Sequence, residues 1–398
     1  MLKLFYQIYI LKEEIIMYTF SSLEKYLDTV LVREKVPGFD CIVIHKGKEV
    51  FRHTAGFNDK ENNIPMTGKE HYYIYSASKP IACVAALHAM EEGKYLLNQP
   101  LWWYIGEFAN CKVKTYHENG EMTLEPVKNP IRICDLFSMT AGFDYNTTSK
   151  SIRDAVAKNP KAPTLEIVKA IANEPLDFEP GTRWQYSLCH DILAGFVEVV
   201  TGEKFADYVK RVIFEPLGMN DSYYHPPKNV YDNICTQYKF NYTTGQPERI
   251  EKVNEYVFGD EYDSGGAGVV TTIEDYAKFA AALANFGVGQ NGARILSKAS
   301  VNLLRTNTLS PEALNEFTTG WDNNFCYGYG YGVRTKMVGG RGGDLCAPGE
   351  FGWDGAAGFL ISVNPDKEMA VVYAQQMRDP HNHIIHPKIK NIVNQIIE

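Results

Sequence analysis

Apolar residues recur along this chain with two different periods, and the switches between them lay out its elements. Leu23, Tyr26, Leu27, Val30 and Leu31 keep the three-and-four spacing of an amphipathic helix, with Ser21 and Glu24 ahead of them in capping-box spacing. Residues 39–45 and 49–54 read instead as strands, and Lys46-Gly47-Lys48 between them carries hairpin chemistry. The run Ile81-Ala82-Cys83-Val84-Ala85-Ala86-Leu87 is apolar on every side and stops at Glu92-Gly93, which predicts a buried helix. From Leu96 to about Trp321 helical patterns dominate, over residues 164–173, 190–200, 205–214, 272–286 and 298–305. The fourth opens with Thr272 and Asp275 in capping-box spacing, and residues 116–121 read as a hairpin tip.

Strand character returns near the end of the chain. Residues 327–333 alternate aromatic side chains with glycine, and 356–363 and 368–374 flank an Asn364-Pro365-Asp366-Lys367 turn. Ile389, Ile392, Val393, Ile396 and Ile397 then mark a last helix. Strands at both ends with helices between them predict an α+β fold, an α/β sandwich. Its antiparallel sheet would be built from the two terminal segments and flanked by the first and last helices. The expected division is an α/β domain from 18–95 and 325–398, a mainly helical domain over 96–324, and a site in the cleft between them. Residues 1–17 read as an extension. Their apolar stretch is short, contains Gln7 and has no small-residue cleavage site, so Met17 is the expected start rather than the end of a signal peptide.

Composition narrows the functional classes. A net charge of −8 with no basic run argues against a nucleic-acid partner. No stretch is long and apolar enough to cross a membrane. The eight cysteines form no C-x-x-C pair and several sit in apolar runs, which fits buried thiols in a reducing, cytoplasmic compartment better than a disulfide framework or zinc site. His381, His383 and His386 cluster near the end of the chain, but with no visible carboxylate partners they read as solvated rather than as metal ligands. The glycine runs at 327–332 and 339–343 lack the strand–loop–helix context of phosphate loops. No metal or cofactor is expected, and the partner expected is a small molecule. Nothing in the pattern speaks to oligomeric state.

Candidate chemistry begins at Ser76-Ala77-Ser78-Lys79. A serine opening a buried helix has unpaired N–H groups and the positive helix end beside it, and an amine one turn later can assist proton removal. The same spacing occurs at Ser22-Leu23-Glu24-Lys25, on the amphipathic first helix, where it reads as a solvated helix start. Two distant stretches could join Ser76. One is Pro180-Gly181-Thr182-Arg183-Trp184-Gln185-Tyr186-Ser187, where a turn presents Tyr186, a phenol suited to moving a proton beside an ammonium. The other is Gly349-Glu350-Phe351-Gly352-Trp353-Asp354-Gly355, ahead of an expected strand at Ala356, whose N–H would pair with that of Ser76 as an oxyanion hole. No Gly-x-Ser-x-Gly occurs, which excludes an α/β-hydrolase elbow.

These phrases, with Glu215-Pro216-Leu217-Gly218-Met219 and Gly265-Gly266-Ala267-Gly268, resemble the serine beta-lactamase and penicillin-recognising family. Within it the chain is most similar to the class C-like carboxylesterases, the family VIII esterases. The resemblance implies Ser76 as the acylated nucleophile and Lys79 and Tyr186 as the proton-transfer pair. It also places the second oxyanion donor just after Gly355, at Ala356. Two departures bear on substrate. Leu188 stands where related lactamases and transpeptidases have the asparagine of Tyr-x-Asn, and Trp353 stands where they have the lysine of Lys-Thr-Gly. Both favour an uncharged ester over a carboxylate-bearing lactam, although Arg341 or Arg378 could supply a cation. The expected activity is hydrolysis of carboxylic esters through an acyl-enzyme. The alternatives are a beta-lactamase or D-amino-acid peptidase of the same fold and, from another class, a non-catalytic ligand sensor.

Overall fold

The computed structural model describes residues 18–320, 324–338 and 342–397. The 1–17 extension, Arg341 and part of the 339–343 glycine run lie outside them. Eight strands form one antiparallel sheet in the order Tyr327–Tyr329, Arg334–Lys336, Phe351–Asp354, Leu360–Asn364, Met369–Gln375, Gly38–His45, Lys48–Asp59 and Ile64–Pro65. The two ends of the chain therefore meet in the middle of the sheet, where Ile42 lies opposite Val372. Gly38–His45 is buried along nearly its whole length because both faces are covered, which is why it reads as a continuous apolar run. Phe39, Cys41 and Val43 face Leu23, Leu27, Ile385 and Ile389 of the first and last helices, Ser21–Arg33 and Asn382–Ile396. Ile42 and Ile44, one residue out of phase, join the larger core that contains Ile273–Ala284 and the buried helix Ser78–Glu91.

Several local expectations are corrected. Residues 327–333 are not one strand: Tyr327–Tyr329 and Arg334–Lys336 pair as a hairpin, with Tyr329 opposite Arg334 and Gly330-Tyr331-Gly332 making the bend. No strand starts at Ala356 either. Trp353 belongs to Phe351–Asp354, and residues 355–358 turn the chain into Leu360–Asn364, with Gly358 at φ 99°. At the first helix Phe20 holds the N-cap position without any side-chain cap, so Ser21 and Glu24 form no capping box. Thr272 does cap its helix, accepting from the Asp275 N–H at 3.2 Å. The middle of the chain also contains strands that its pattern hid, including Tyr238–Asn241 and Gln246–Arg249, which pair as a hairpin beside Met377–Arg378. Among the described residues no helix is long and apolar enough to cross a membrane.

Candidate active site

Ser76 sits in a single 3₁₀ turn, Tyr75–Ala77, that leads into the helix Ser78–Glu91. The residue before it, Tyr75, has φ 46°, a left-handed conformation that costs a tyrosine about 1–3 kcal/mol. Two contacts hold it there: its hydroxyl donates to Gln237 Oε1 at 3.3 Å, and the Arg378 guanidinium lies 5.2 Å over its ring. The strain turns Ser76 toward a cleft of about 710 Å³, within the range of small-molecule sites. Every residue of the helix from Ser78 to Leu87 is buried, Lys79 completely.

That burial is tolerable because Lys79 finds acceptors. Its Nζ donates to the Gly266 carbonyl at 2.8 Å, to Ser76 Oγ at 3.3 Å and to the Tyr145 hydroxyl at 3.4 Å. Three acceptors match the three protons of an ammonium, and the Tyr186 and Tyr145 rings lie 4.7 and 5.2 Å from the same nitrogen. Gly266 is itself held by Asp191. That buried carboxylate accepts from Ser264 Oγ at 2.6 Å, Tyr262 at 2.8 Å and the Gly266 N–H at 3.4 Å. A Cβ at Gly266 would fall 2.5 Å from Asp191 Oδ2 and 3.3 Å from Lys79 Nζ, so only glycine lets the carbonyl reach the lysine.

Tyr186 arrives from the turn that follows Pro180-Gly181, just before the helix Cys189–Thr201, and donates to Ser76 Oγ at 2.6 Å. Its ring is stacked between two others, Tyr145 at 5.1 Å and 14° and Trp353 at 5.8 Å and 20°. The stack fixes the phenol on the serine and lets it move little. Tyr145 is a site residue that sequence reasoning missed. It also lines the cleft, and burial, with Tyr186 and Asp191 nearby, pushes its phenol well above the usual range. One of 25 tyrosines in a loop without local pattern, it gave no signal.

On the far wall, Trp353, Gly355 and Ala356 line the cleft with Ser76. The 355–358 turn presses against the segment that leads into Ser76: a Cβ at Gly355 would lie 2.3 Å from the Ile74 carbonyl oxygen. Among the described residues the Ala356 N–H meets no acceptor, whereas its neighbours Gly355 and Gly358 donate to Phe359 O and Gly355 O.

Other expected features fall elsewhere. Leu188 is buried against the helical core and does not line the cleft, so its loss of an amide is a packing matter. Arg378 is spent on Glu255 at 2.9 Å and the Tyr256 hydroxyl at 3.1 Å. Among the described residues Arg334 lines the cleft, which was not foreseen, and Asp354 holds it with a two-pronged ion pair. The histidines are not a solvated cluster: His386 is 2% exposed against Asp354, and His381 lines the cleft with its Nδ1 3.1 Å from Glu34 Oε2.

A serine, a buried lysine and a tyrosine thus lie within reach of one another beside the antiparallel sheet. A family model described as Beta-lactamase matches residues 23–389, and the chain belongs to that family. Protein Rv1367c of Mycobacterium tuberculosis strain H37Rv is 26% identical over 333 residues, 81% of each chain. Esterase EstB of Burkholderia gladioli is 28% identical over 208 residues, half of each chain. Among solved structures, EstCE1, described as a hydrolase with promiscuous acyltransferase activity, superposes with a TM-score of 0.76 at 22% identity. That match covers 93% of this chain and 97% of EstCE1.

Proposed function

We propose that this protein is a serine hydrolase that cleaves uncharged carboxylic esters through an acyl-enzyme on Ser76. The observation that carries the reading is the 2.6 Å contact between Ser76 Oγ and Tyr186, backed by Lys79 at 3.3 Å. Tyr186, acting in its phenolate form, takes the Ser76 proton as Oγ bonds to the ester carbon. The carbonyl electrons move onto its oxygen, which the Ser76 and Ala356 N–H groups receive. Collapse of that intermediate breaks the bond to the alkoxide, and Tyr186 protonates the departing alcohol. Water then attacks the acyl group, gives its proton to Tyr186, and Ser76 leaves with that proton.

The preference for neutral esters rests on charge. Arg334 is paired with Asp354 and Arg378 with Glu255, so neither guanidinium is offered to a substrate carboxylate. Tyr145, Tyr186, Tyr256 and Trp353 supply an aromatic wall instead. The likeness to an esterase over half of the chain agrees with this. Paired assays with a short-chain nitrophenyl ester and a chromogenic cephalosporin test the reading. The ester is expected to turn over much faster, and Ser76→Ala to abolish that turnover. Faster cephalosporin turnover would favour the lactamase reading, and binding without turnover of either the sensor reading.

A further inference from the structure

The turn that carries Ala356 is held from behind by buried charge. His386, on the last helix, spans its two ends: Nδ1 lies 3.0 Å from Asp354 Oδ1 at the start and Nε2 lies 3.2 Å from the Gly358 carbonyl at the end. The carboxylate and the carbonyl are both acceptors, so each ring nitrogen of His386 faces an oxygen that can take a hydrogen bond. Arg334, 7% exposed, grips the same carboxylate from the other side, with Nη2 2.9 Å from Oδ1 and Nη1 on Oδ2. Burial alone would raise the Asp354 pKa, but Arg334 and His386 outweigh it and hold the carboxyl well below the usual range. The Asn382 amide adds a long 3.5 Å contact to the Gly355 carbonyl. Within the turn the Gly355 and Gly358 N–H groups and the Gly355, Ala357 and Gly358 carbonyls are thus engaged with protein, while Ala356, whose N–H meets no acceptor among the described residues, lines the cleft.

We propose that His386 and Asp354 are positioning residues for the oxyanion contact, clamping both ends of the 354–358 turn so that Ala356 N–H stays aimed at the carbonyl attacked by Ser76. Neither touches the reacting atoms. The assignment rests on Ser76 being the acylated serine. A turn held in place matters most when negative charge develops on the carbonyl oxygen, so loosening it weakens transition-state binding and leaves ground-state binding nearly intact.

The test uses His386→Gln and Asp354→Asn in the full chain, with nitrophenyl butyrate as substrate and phenylboronic acid as a tetrahedral-adduct probe. In both variants kcat is expected to fall about tenfold or more while KM stays within about twofold. Boronate affinity should fall in the same proportion as kcat, which a general loss of packing would not produce. Asp354→Asn keeps the side-chain shape, so it reads the same clamp if the His386 variant fails to fold. Variants that melt like the parent and keep both kcat and boronate affinity overturn the clamp alone. A parent chain that forms no boronate adduct on Ser76, judged by mass spectrometry, removes the acyl-serine reading and the clamp together.

Discussion

The chain contains the Ser-x-x-Lys spacing twice, and the two copies could hardly differ more. Ser22 and Lys25 are both exposed on an amphipathic helix, with no hydrogen bond between them among the described residues. Ser76 and Lys79 have the same separation, but the lysine is fully buried, the preceding tyrosine is strained, and a phenol from 110 residues downstream reaches the serine. Spacing on a helix places two side chains on one face and nothing more. What sets the buried copy apart is what the rest of the chain brings to that face: a dry surrounding for the amine, acceptors that make its burial affordable, and a phenol against the serine.

The sharpest way to break the comparison is to remove the groups that only the buried copy has. Ser76→Ala should reduce ester hydrolysis to background. Tyr186→Phe keeps the ring stack and deletes only the hydroxyl, so kcat should fall about 10²–10⁴-fold, the usual worth of a positioned proton carrier. The KM should hold, because the ring still lines the cleft. A Tyr186→Phe variant that retained most of its kcat would return the proton to Lys79 or another base.

A smaller effect is expected at Gly266, which serves Lys79 without touching substrate. Gly266→Ala forces a methyl group within 2.5 Å of the Asp191 carboxylate, so the loop must shift and its carbonyl must leave the lysine. Overpacking of this kind costs about 1–3 kcal/mol of stability, readable as a lower melting temperature. Activity should drop along with it. A variant as stable and active as the parent would show that the carbonyl is not what makes the buried ammonium tolerable.

What could be read from the sequence follows the same division. The buried helix Ser78–Glu91, the sheet built from both termini and the residues of the three phrases were legible because local pattern carries them: an apolar helical run, strand-like runs, and glycines at turns. The structure brings Ser76, Tyr186, Trp353, Gly355 and Ala356 to one cleft, with Lys79 buried behind Ser76. The supporting residues were not legible. Tyr145, Asp191, Arg334 and His386 act through partners distant in the chain, and nothing near each in sequence assigns that part; Gly266 stands inside a quoted glycine phrase, but nothing in the phrase points to Lys79. His386 is the clearest case. In the sequence it is one of three histidines by a terminus, and only the fold shows it under the 354–358 turn. The strand expected at Ala356 failed for a related reason, since the apolar run 356–363 hides the turn made at Gly358.

The contrast between a buried charge whose partners offset its burial and a half-buried one whose partners do not recurs at Glu198. This carboxylate accepts from the Phe205 N–H at 3.0 Å, but burial, and to a lesser extent Asp263, push its pKa from 4.5 up to about 7. A pKa raised on folding means that the native state holds the proton more tightly. Its contribution to stability is therefore complete below about pH 4.5 and is lost as pH rises through 7. Glu198→Gln keeps an acceptor for Phe205 and cannot ionise. Its melting temperature should exceed that of the parent at pH 8, and the advantage should vanish by pH 5. A constant difference across that range would mean that the carboxylate titrates normally.

The smallest effect is the control on which the whole comparison depends. In the double variant Ser22→Ala, Lys25→Ala both altered side chains are exposed and neither caps its helix, because the N-cap position belongs to Phe20 and makes no side-chain bond. Surface changes away from caps and buried contacts usually stay within about 0.5 kcal/mol. Alanine is also the better helix former, which offsets any loss. Melting temperature and ester turnover should both match the parent, measured side by side with Ser76→Ala. A loss of turnover in the double variant would mean that the exposed copy takes part in the chemistry, and burial would no longer be what separates the two.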